Sequence, residues 1–122
     1  MGVVLVVDDD FDFLAALSDT LADGGWKVLV AGSAAAAVRA ARSCPVDVVL
    51  TDVMMPFGDG ETLESAFKGD PALKDVPFVF MSGATRYVRE LRDARVLLKP
   101  FNGQEVIAML ESCLPNDVQG DA

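Results

Sequence analysis

The residues of this sequence that could do chemistry have one feature in common, because each of them follows a short apolar run. Asp8, Asp9 and Asp10 follow VVLVV, Asp52 follows VVLT, Ser82 follows VFM, and Lys99 follows VLL. An aspartate can act as a nucleophile, and neighbouring carboxylates can hold a divalent cation. A lysine and a hydroxyl can stabilise a phosphoryl group. Together these residue types suit metal-assisted phosphoryl transfer.

Each residue also has an ordinary explanation when it is taken alone. The acidic triplet could be the N-cap and first turn of a helix, Lys99 a surface lysine and Ser82 a turn hydroxyl. Their shared position at strand ends favours a site, because the carboxyl ends of parallel strands converge on one edge of a sheet. Two carboxylates about 5 Å apart repel by roughly 3 kcal/mol at an effective dielectric of 20. Lys99 and a divalent cation could offset that repulsion.

The composition of the chain restricts which cation that would be. The sequence has no histidine, and its two cysteines, Cys44 and Cys113, lack the spacing of metal ligands. This argues against a zinc site and against a disulfide framework. Clustered carboxylate oxygens are typical ligands of hard cations, so we expect Mg²⁺.

Apolar runs alternate with helical patterns and provide the elements that must position these residues. The predicted strands are Val3–Val7, Trp26–Val30, the run from Val46 that ends at Asp52, Val76–Met81 and Val96–Leu98. Four predicted helices lie between or after these strands. The first has the inward residues Leu14, Leu17 and Leu21, and the second has a cap at Ser33. The third has the inward residues Leu63, Ala66 and Phe67, and the last begins with a capping box of Asn102 and Glu105. This alternation predicts an α/β fold, a (βα)₅ doubly wound, five-stranded parallel sheet of flavodoxin-like topology.

Length and charge limit the organisation and the partners. We expect residues 1–115 to form one domain and residues 116–122 to form a disordered tail. The net charge of −9 argues against direct binding of nucleic acid, which requires a basic surface. No apolar stretch approaches the roughly 20 residues needed to span a bilayer, so we expect no membrane partner. Because the two cysteines do not indicate a disulfide framework, we expect a cytoplasmic location.

Four motifs in the right order resemble the receiver domain of two-component response regulators: VLVVDDD, LTDVMMP-x-x-DG, VFMSGA and LLKPF. The resemblance covers nearly the whole chain. It implies that Asp52 accepts a phosphoryl group from the phosphohistidine of a histidine kinase or histidine phosphotransfer protein. Phosphorylation would then switch a surface that binds a downstream protein target. Such a domain is not an enzyme in the usual sense, since it catalyses only its own phosphorylation and dephosphorylation.

The resemblance also implies roles for individual residues. Asp9 and Asp52 would bind Mg²⁺ directly together with the backbone carbonyl of Met54, and Asp8 would act through water. Lys99 would pair with the phosphoryl group and Ser82 would be the switching hydroxyl. The Lys99–Pro100 peptide bond would be cis, which proline permits at modest cost.

Two features depart from the usual receiver pattern. Val96 stands where receivers usually carry a switching aromatic ring, and only sixteen residues separate Ser82 from Lys99, so the helix between the last two strands must be short or absent. Both features, together with Pro77–Phe80, resemble single-domain receivers that carry a PFxFATGY stretch. Our hypothesis is that phosphorylation orders or repositions residues 83–95 in place of rotating a ring at position 96.

Other interpretations remain open at this level. The chain could be the receiver module of a hybrid histidine kinase, a phosphorelay shuttle or a pseudo-receiver that only binds partners. A haloacid-dehalogenase-like phosphatase would use a strand-one aspartate but lacks the DxDGT string. A flavodoxin-like cofactor site lacks a phosphate-binding loop after strand one. An EF-hand beginning at Asp8 would place Phe13 where glycine is required.

Overall fold

The computed structural model of the protein describes residues 2–53, 60–83 and 95–114. The five strands are β1 (Val3–Val7), β2 (Lys27–Ala31), β3 (Val48–Asp52), β4 (Phe78–Ser82) and β5 (Arg95–Leu98). Within the described ranges the helices are α1 (Phe11–Asp23), α2 (Ala34–Ser43), α3 (Gly60–Lys68) and α4 (Gly103–Glu111). These elements confirm the predicted α/β fold.

The five strands form one parallel sheet in the order β2-β1-β3-β4-β5. The connection from β1 to β2 runs in one direction across the sheet, and the connections from β2 through β3 and β4 to β5 run in the other, which is the doubly wound topology. Three strands begin later than the sequence predicts: β2, β4 and also β3, which starts at Val48 and not at Val46. Trp26 still bonds through its N–H to the Leu21 carbonyl, so β2 starts at Lys27. Pro77 has no N–H to donate, and β4 starts after it.

Helices cover both faces of the sheet, and each face has its own apolar core. α1 and α4 cover one face with Leu14, Leu17, Leu21, Val106 and Leu110. α2 and α3 cover the other with Ala37, Ala41, Leu63 and Phe67. The prediction that Ala66 points inward is wrong, since this residue is exposed. Leu63 and Phe67 are four residues apart and share one narrow buried stripe, which Ala66 flanks.

Side-chain caps determine where three helices begin. The Asp10 carboxylate accepts a hydrogen bond from the Phe13 N–H at 3.1 Å, and Ser33 Oγ accepts one from the Ala36 N–H at 3.2 Å. Asn102 and Glu105 form the predicted capping box. The Asp10 cap turns the chain into α1 directly after Asp8 and Asp9, and so holds both carboxylates at the end of β1. Among the described residues, no helix is long and apolar enough to cross a membrane.

Several predictions concern segments outside the described residues. These are the short or absent helix between β4 and β5, most of the proposed switch segment 83–95, the Met54 carbonyl and the tail at 116–122.

Candidate functional site

Three carboxylates meet at the carboxyl edge of the sheet. Asp8 follows β1 and Asp52 ends β3, and these strands are neighbours with Val7 paired to Thr51. Asp9 extends from the same turn as Asp8. Oxygen atoms of Asp8, Asp9 and Asp52 all lie within 4.8 Å of one another. The predicted convergence of these residues is confirmed.

Lys99 reaches the same cluster from the far end of β5. Its Nζ donates to Asp52 Oδ2 at 2.9 Å and to Asp8 Oδ2 at 3.2 Å. Its backbone N–H donates to the Ser82 carbonyl at 2.8 Å, which fixes the start of the Lys99 side chain beside β4. The following Lys99–Pro100 peptide bond is cis, as predicted.

Charge balance determines how Lys99 and Asp8 titrate. Burial alone would lower the pKa of Lys99, but the hydrogen bonds and negative charges of Asp52 and Asp8 outweigh it and raise that pKa. Burial raises the pKa of Asp8 above its ordinary value. The charge of Asp52 raises it further, against the opposing effects of the Asp10 N–H and of Lys99. The cluster therefore carries more negative charge than its one lysine neutralises.

Ser82 and Val96 occupy the two strands nearest Lys99. Ser82 ends β4, between the strands that carry Asp52 and Lys99, and its side chain is buried. Val96 pairs with Phe80 and packs, half-buried, against the core beneath α2 and α3. Ser82 therefore lies at the carboxyl edge with the acidic residues, whereas Val96 lies two residues back along its strand.

Phe13 also lies at this site, although its sequence pattern did not predict it there. The Phe13 ring lies under the lysine head group, with Lys99 Nζ 4.5 Å from the ring centroid. Phe101 packs against it edge to face, with the ring centroids 6.3 Å apart. One signal was available, because the Asp10 cap places Phe13 in the first turn of α1, immediately after the acidic triplet.

The carboxylate cluster suits a hard divalent cation. All three side chains offer oxygen, and among the described residues Lys99 offsets one of three formal negative charges, which leaves a formal charge of −2. Oxygen ligands and this charge fit Mg²⁺ better than they fit a cation that prefers nitrogen or sulfur. The fourth predicted ligand, the Met54 carbonyl, lies outside the described residues.

The crowded carboxylates predict that Asp8→Asn stabilises the fold when Mg²⁺ is absent. The change removes a buried charge and its repulsion from Asp52 and Asp9, while Lys99 keeps Asp52 as its partner. Asparagine can still accept the Asp10 N–H, now bonded to Asp8 Oδ1 at 3.0 Å. We expect the free energy of unfolding in urea, measured in EDTA at pH 7, to rise by about 1 kcal/mol.

The sign of this effect depends on pH. Because the pKa of Asp8 is raised in the folded state, its carboxyl favours folding below its unfolded pKa, and this contribution is lost as the pH rises through the folded pKa. The difference between Asp8→Asn and the wild type should therefore grow over that range. Asp19→Asn, which removes an exposed charge elsewhere on α1, serves as the control. Equal stability changes in the two variants would contradict the prediction.

The sequence matches the Response regulator receiver domain family over residues 4–111. The transcriptional regulatory protein PrrA of Mycobacterium tuberculosis is 34% identical over 121 residues, which cover 91% of this chain and 49% of PrrA. The sensor histidine kinase TmoS of Ectopseudomonas mendocina is 30% identical over 124 residues, covering 98% of this chain and 13% of TmoS. The chain thus spans half or less of either protein.

The fold of the chain is similar to that of a solved response regulator. The chemotaxis response regulator CheY4 of Vibrio cholerae superposes with a TM-score of 0.84 at 29% identity. The match covers 93% of this chain and 99% of that one. The family match, the parallel sheet and the acidic edge with its lysine agree, and the chain belongs to the response regulator receiver domain family of two-component signalling.

Proposed function

We propose that Asp52 is the phosphoacceptor of this receiver domain. The observation that carries the proposal is the position of its carboxylate. Asp52 Oδ2 lies 2.9 Å from Lys99 Nζ, and two further carboxylates adjoin it at the carboxyl edge of the sheet. A carboxylate beside a fixed cation and a cation-binding cluster can attack phosphorus while the charge of the phosphoryl oxygens is neutralised.

The transfer step is a displacement at phosphorus. An Asp52 carboxylate oxygen attacks the phosphorus of a phosphohistidine, the bond between phosphorus and nitrogen breaks, and the imidazole leaves with the electron pair and takes a proton from solvent. The product is an acyl phosphate on Asp52. Attack of water on that phosphorus later breaks its bond to the Asp52 oxygen, which releases inorganic phosphate and restores the carboxylate, so the domain catalyses only its own phosphorylation and dephosphorylation.

Asp8, Asp9 and Asp52 would hold Mg²⁺, with the Met54 carbonyl as a further ligand and with Asp8 acting through water. The bound cation would supply positive charge to the phosphoryl oxygens. Lys99 supplies the second positive charge and can turn from the Asp52 carboxylate to a phosphoryl oxygen. Ser82, buried at the neighbouring strand end, is the hydroxyl that would bond the phosphoryl group and report its arrival.

The phosphodonor would be a histidine kinase or a histidine phosphotransfer protein, and the readout a protein target whose surface responds to phosphorylation. Val96 has no aromatic ring to swing and packs, half-buried, against the core, which supports residues 83–95 as the responsive segment. The similarity to TmoS, a sensor histidine kinase, also supports a role as the receiver module of a hybrid kinase, and a phosphorelay shuttle is the other alternative role.

The test of the proposal is mass spectrometry after incubation with acetyl phosphate. We expect the wild-type chain to gain the mass of one phosphoryl group in Mg²⁺ and to gain none in EDTA, because metal removal leaves the acidic cluster to repel the donor. Trapping with borohydride and peptide mapping should place the modification on Asp52. An adduct that forms equally well in EDTA, or that maps to another residue, would contradict the proposal.

A further inference from the structure

Within the described residues, the ammonium group of Lys99 has three close neighbours. Two are the carboxylate oxygens of Asp52 and Asp8, at 2.9 and 3.2 Å. The third is the face of the Phe13 ring, whose centroid lies 4.5 Å from Nζ. That distance is within the roughly 6 Å over which a ring face attracts a cation. The carboxylates belong to the sheet, whereas the ring belongs to α1, so the ammonium group is held from two sides.

The Phe13 ring is itself held in place. Its backbone N–H is bonded to the Asp10 cap at 3.1 Å, which fixes the first turn of α1. Phe101 contacts it edge to face, at 6.3 Å between centroids and 82° between planes, and the half-buried ring packs on the core beneath α1 and α4. The ring therefore provides a fixed, electron-rich surface beside the acidic cluster.

The Phe13 ring can restrain the Lys99 side chain, which is long and partly exposed. About a quarter of the side chain is exposed (28%), and a lysine has many rotamers to lose. When Asp52 becomes phosphorylated, the ammonium group must leave a carboxylate oxygen for a phosphoryl oxygen. The contact with the ring does not depend on which oxygen is engaged, so it keeps the cation in the site during that change.

We propose that Phe13 is a positioning residue that holds the Lys99 ammonium group over the phosphoacceptor through a cation–π contact. Its effect on phosphorylation rests on the proposed function of Asp52, whereas the contact itself does not. Phe13 does not touch the reacting atoms and acts only through Lys99.

The first test changes the electron density of the ring and keeps its shape. Phe13 is replaced in the full chain by monofluorophenylalanine and by trifluorophenylalanine, and the rate of phosphorylation by acetyl phosphate with Mg²⁺ is measured. A small donor is used because it needs no docked partner. We expect the rate to fall with monofluorophenylalanine and to fall further with trifluorophenylalanine, where the loss reaches about threefold to tenfold. The phosphorylation rate of Phe13→Leu should fall at least as far. Phe13→Tyr keeps an electron-rich ring face and should retain most of the wild-type rate.

The matched control places trifluorophenylalanine at Phe67. That ring is buried on the opposite face of the sheet, against Phe78 at 5.1 Å between centroids. The rate should stay at the wild-type value in this variant. Urea unfolding of each variant shows whether a slower rate follows from lost stability. A flat fluorine series, or an equal fall in the Phe67 control, would overturn the proposal.

A second measurement tests the contact without phosphorylation. The chain has only four lysines, Lys27, Lys68, Lys74 and Lys99, so their Cε–H signals can be assigned by NMR through substitution. The Lys99 signals should be shifted upfield by the ring current of Phe13 and should return to the usual lysine range in Phe13→Leu. Absence of that shift would overturn the contact, whereas a shifted signal in a chain that takes no phosphoryl group would mean that only the proposed function fails.

Discussion

Asp52→Asn is expected to abolish phosphorylation of the chain by acetyl phosphate. An amide oxygen carries no negative charge and is a poor nucleophile, so the displacement at phosphorus loses its attacking group. The rate constant should fall by more than about a thousandfold, to the limit of detection by mass spectrometry. Asparagine has nearly the same shape as aspartate and can still accept a hydrogen bond from Lys99, so the variant should fold normally.

The matched control is Asp47→Asn. It makes the same chemical change at the residue that precedes β3, at the opposite end of this strand from Asp52. Asp47 Oδ2 accepts the Val3 N–H at 2.7 Å at the amino edge of the sheet, and an asparagine oxygen can accept the same bond. Phosphorylation of this variant should proceed at the wild-type rate. Wild-type labelling of Asp52→Asn would instead mean that another carboxylate, such as Asp8 or Asp9, is the nucleophile.

Lys99→Met is expected to slow phosphorylation by about 10- to 100-fold. Methionine keeps most of the side-chain length and removes the positive charge 2.9 Å from Asp52 Oδ2. Without that charge, the phosphoryl oxygens lose a charge-assisted hydrogen bond that should be strongest in the transition state. Among the described residues, the three carboxylates are also left without the only lysine that pairs with them, so we expect the free energy of unfolding in EDTA to fall by about 1–2 kcal/mol, an amount discounted for partial exposure.

Lys74→Met is the control for this prediction. Lys74 is an exposed lysine in the turns that precede β4, at the opposite edge of the sheet from the acidic cluster. Its replacement removes the same charge from the chain and should leave the phosphorylation rate unchanged. If Lys99→Met were phosphorylated as fast as Lys74→Met, Lys99 would have no part in stabilising the phosphoryl group.

Much of the fold follows from local patterns in the sequence. The apolar runs predict all five strands, and the caps at Ser33 and Asn102 mark helix starts that the structure confirms. Errors arise where a local pattern competes with its surroundings. Trp26 looks like a strand residue, but it is still bonded to the end of α1. Ala66 looks inward by periodicity, but it flanks a stripe too narrow to bury it.

The residues at the site could be predicted because parallel strands bring their carboxyl ends to one edge of the sheet, even when many residues separate the strands along the chain. This rule identified Asp8, Asp9, Asp52, Ser82 and Lys99 before any distance was known. It could not identify Phe13, because a phenylalanine beside a leucine stripe has the same sequence pattern whether it only fills the core or also faces a cation.

The sequence by itself determined the sheet, the helices and the set of acidic and basic residues at its edge, because apolar periodicity, caps and strand-end positions are encoded locally. Only the tertiary structure decided the contacts within that set. Lys99 and Asp8 are 91 residues apart, and their contact depends on strand register. The contact between Lys99 and Phe13 depends on where α1 lies over the sheet. Packing between distant segments sets both, and no local pattern records it.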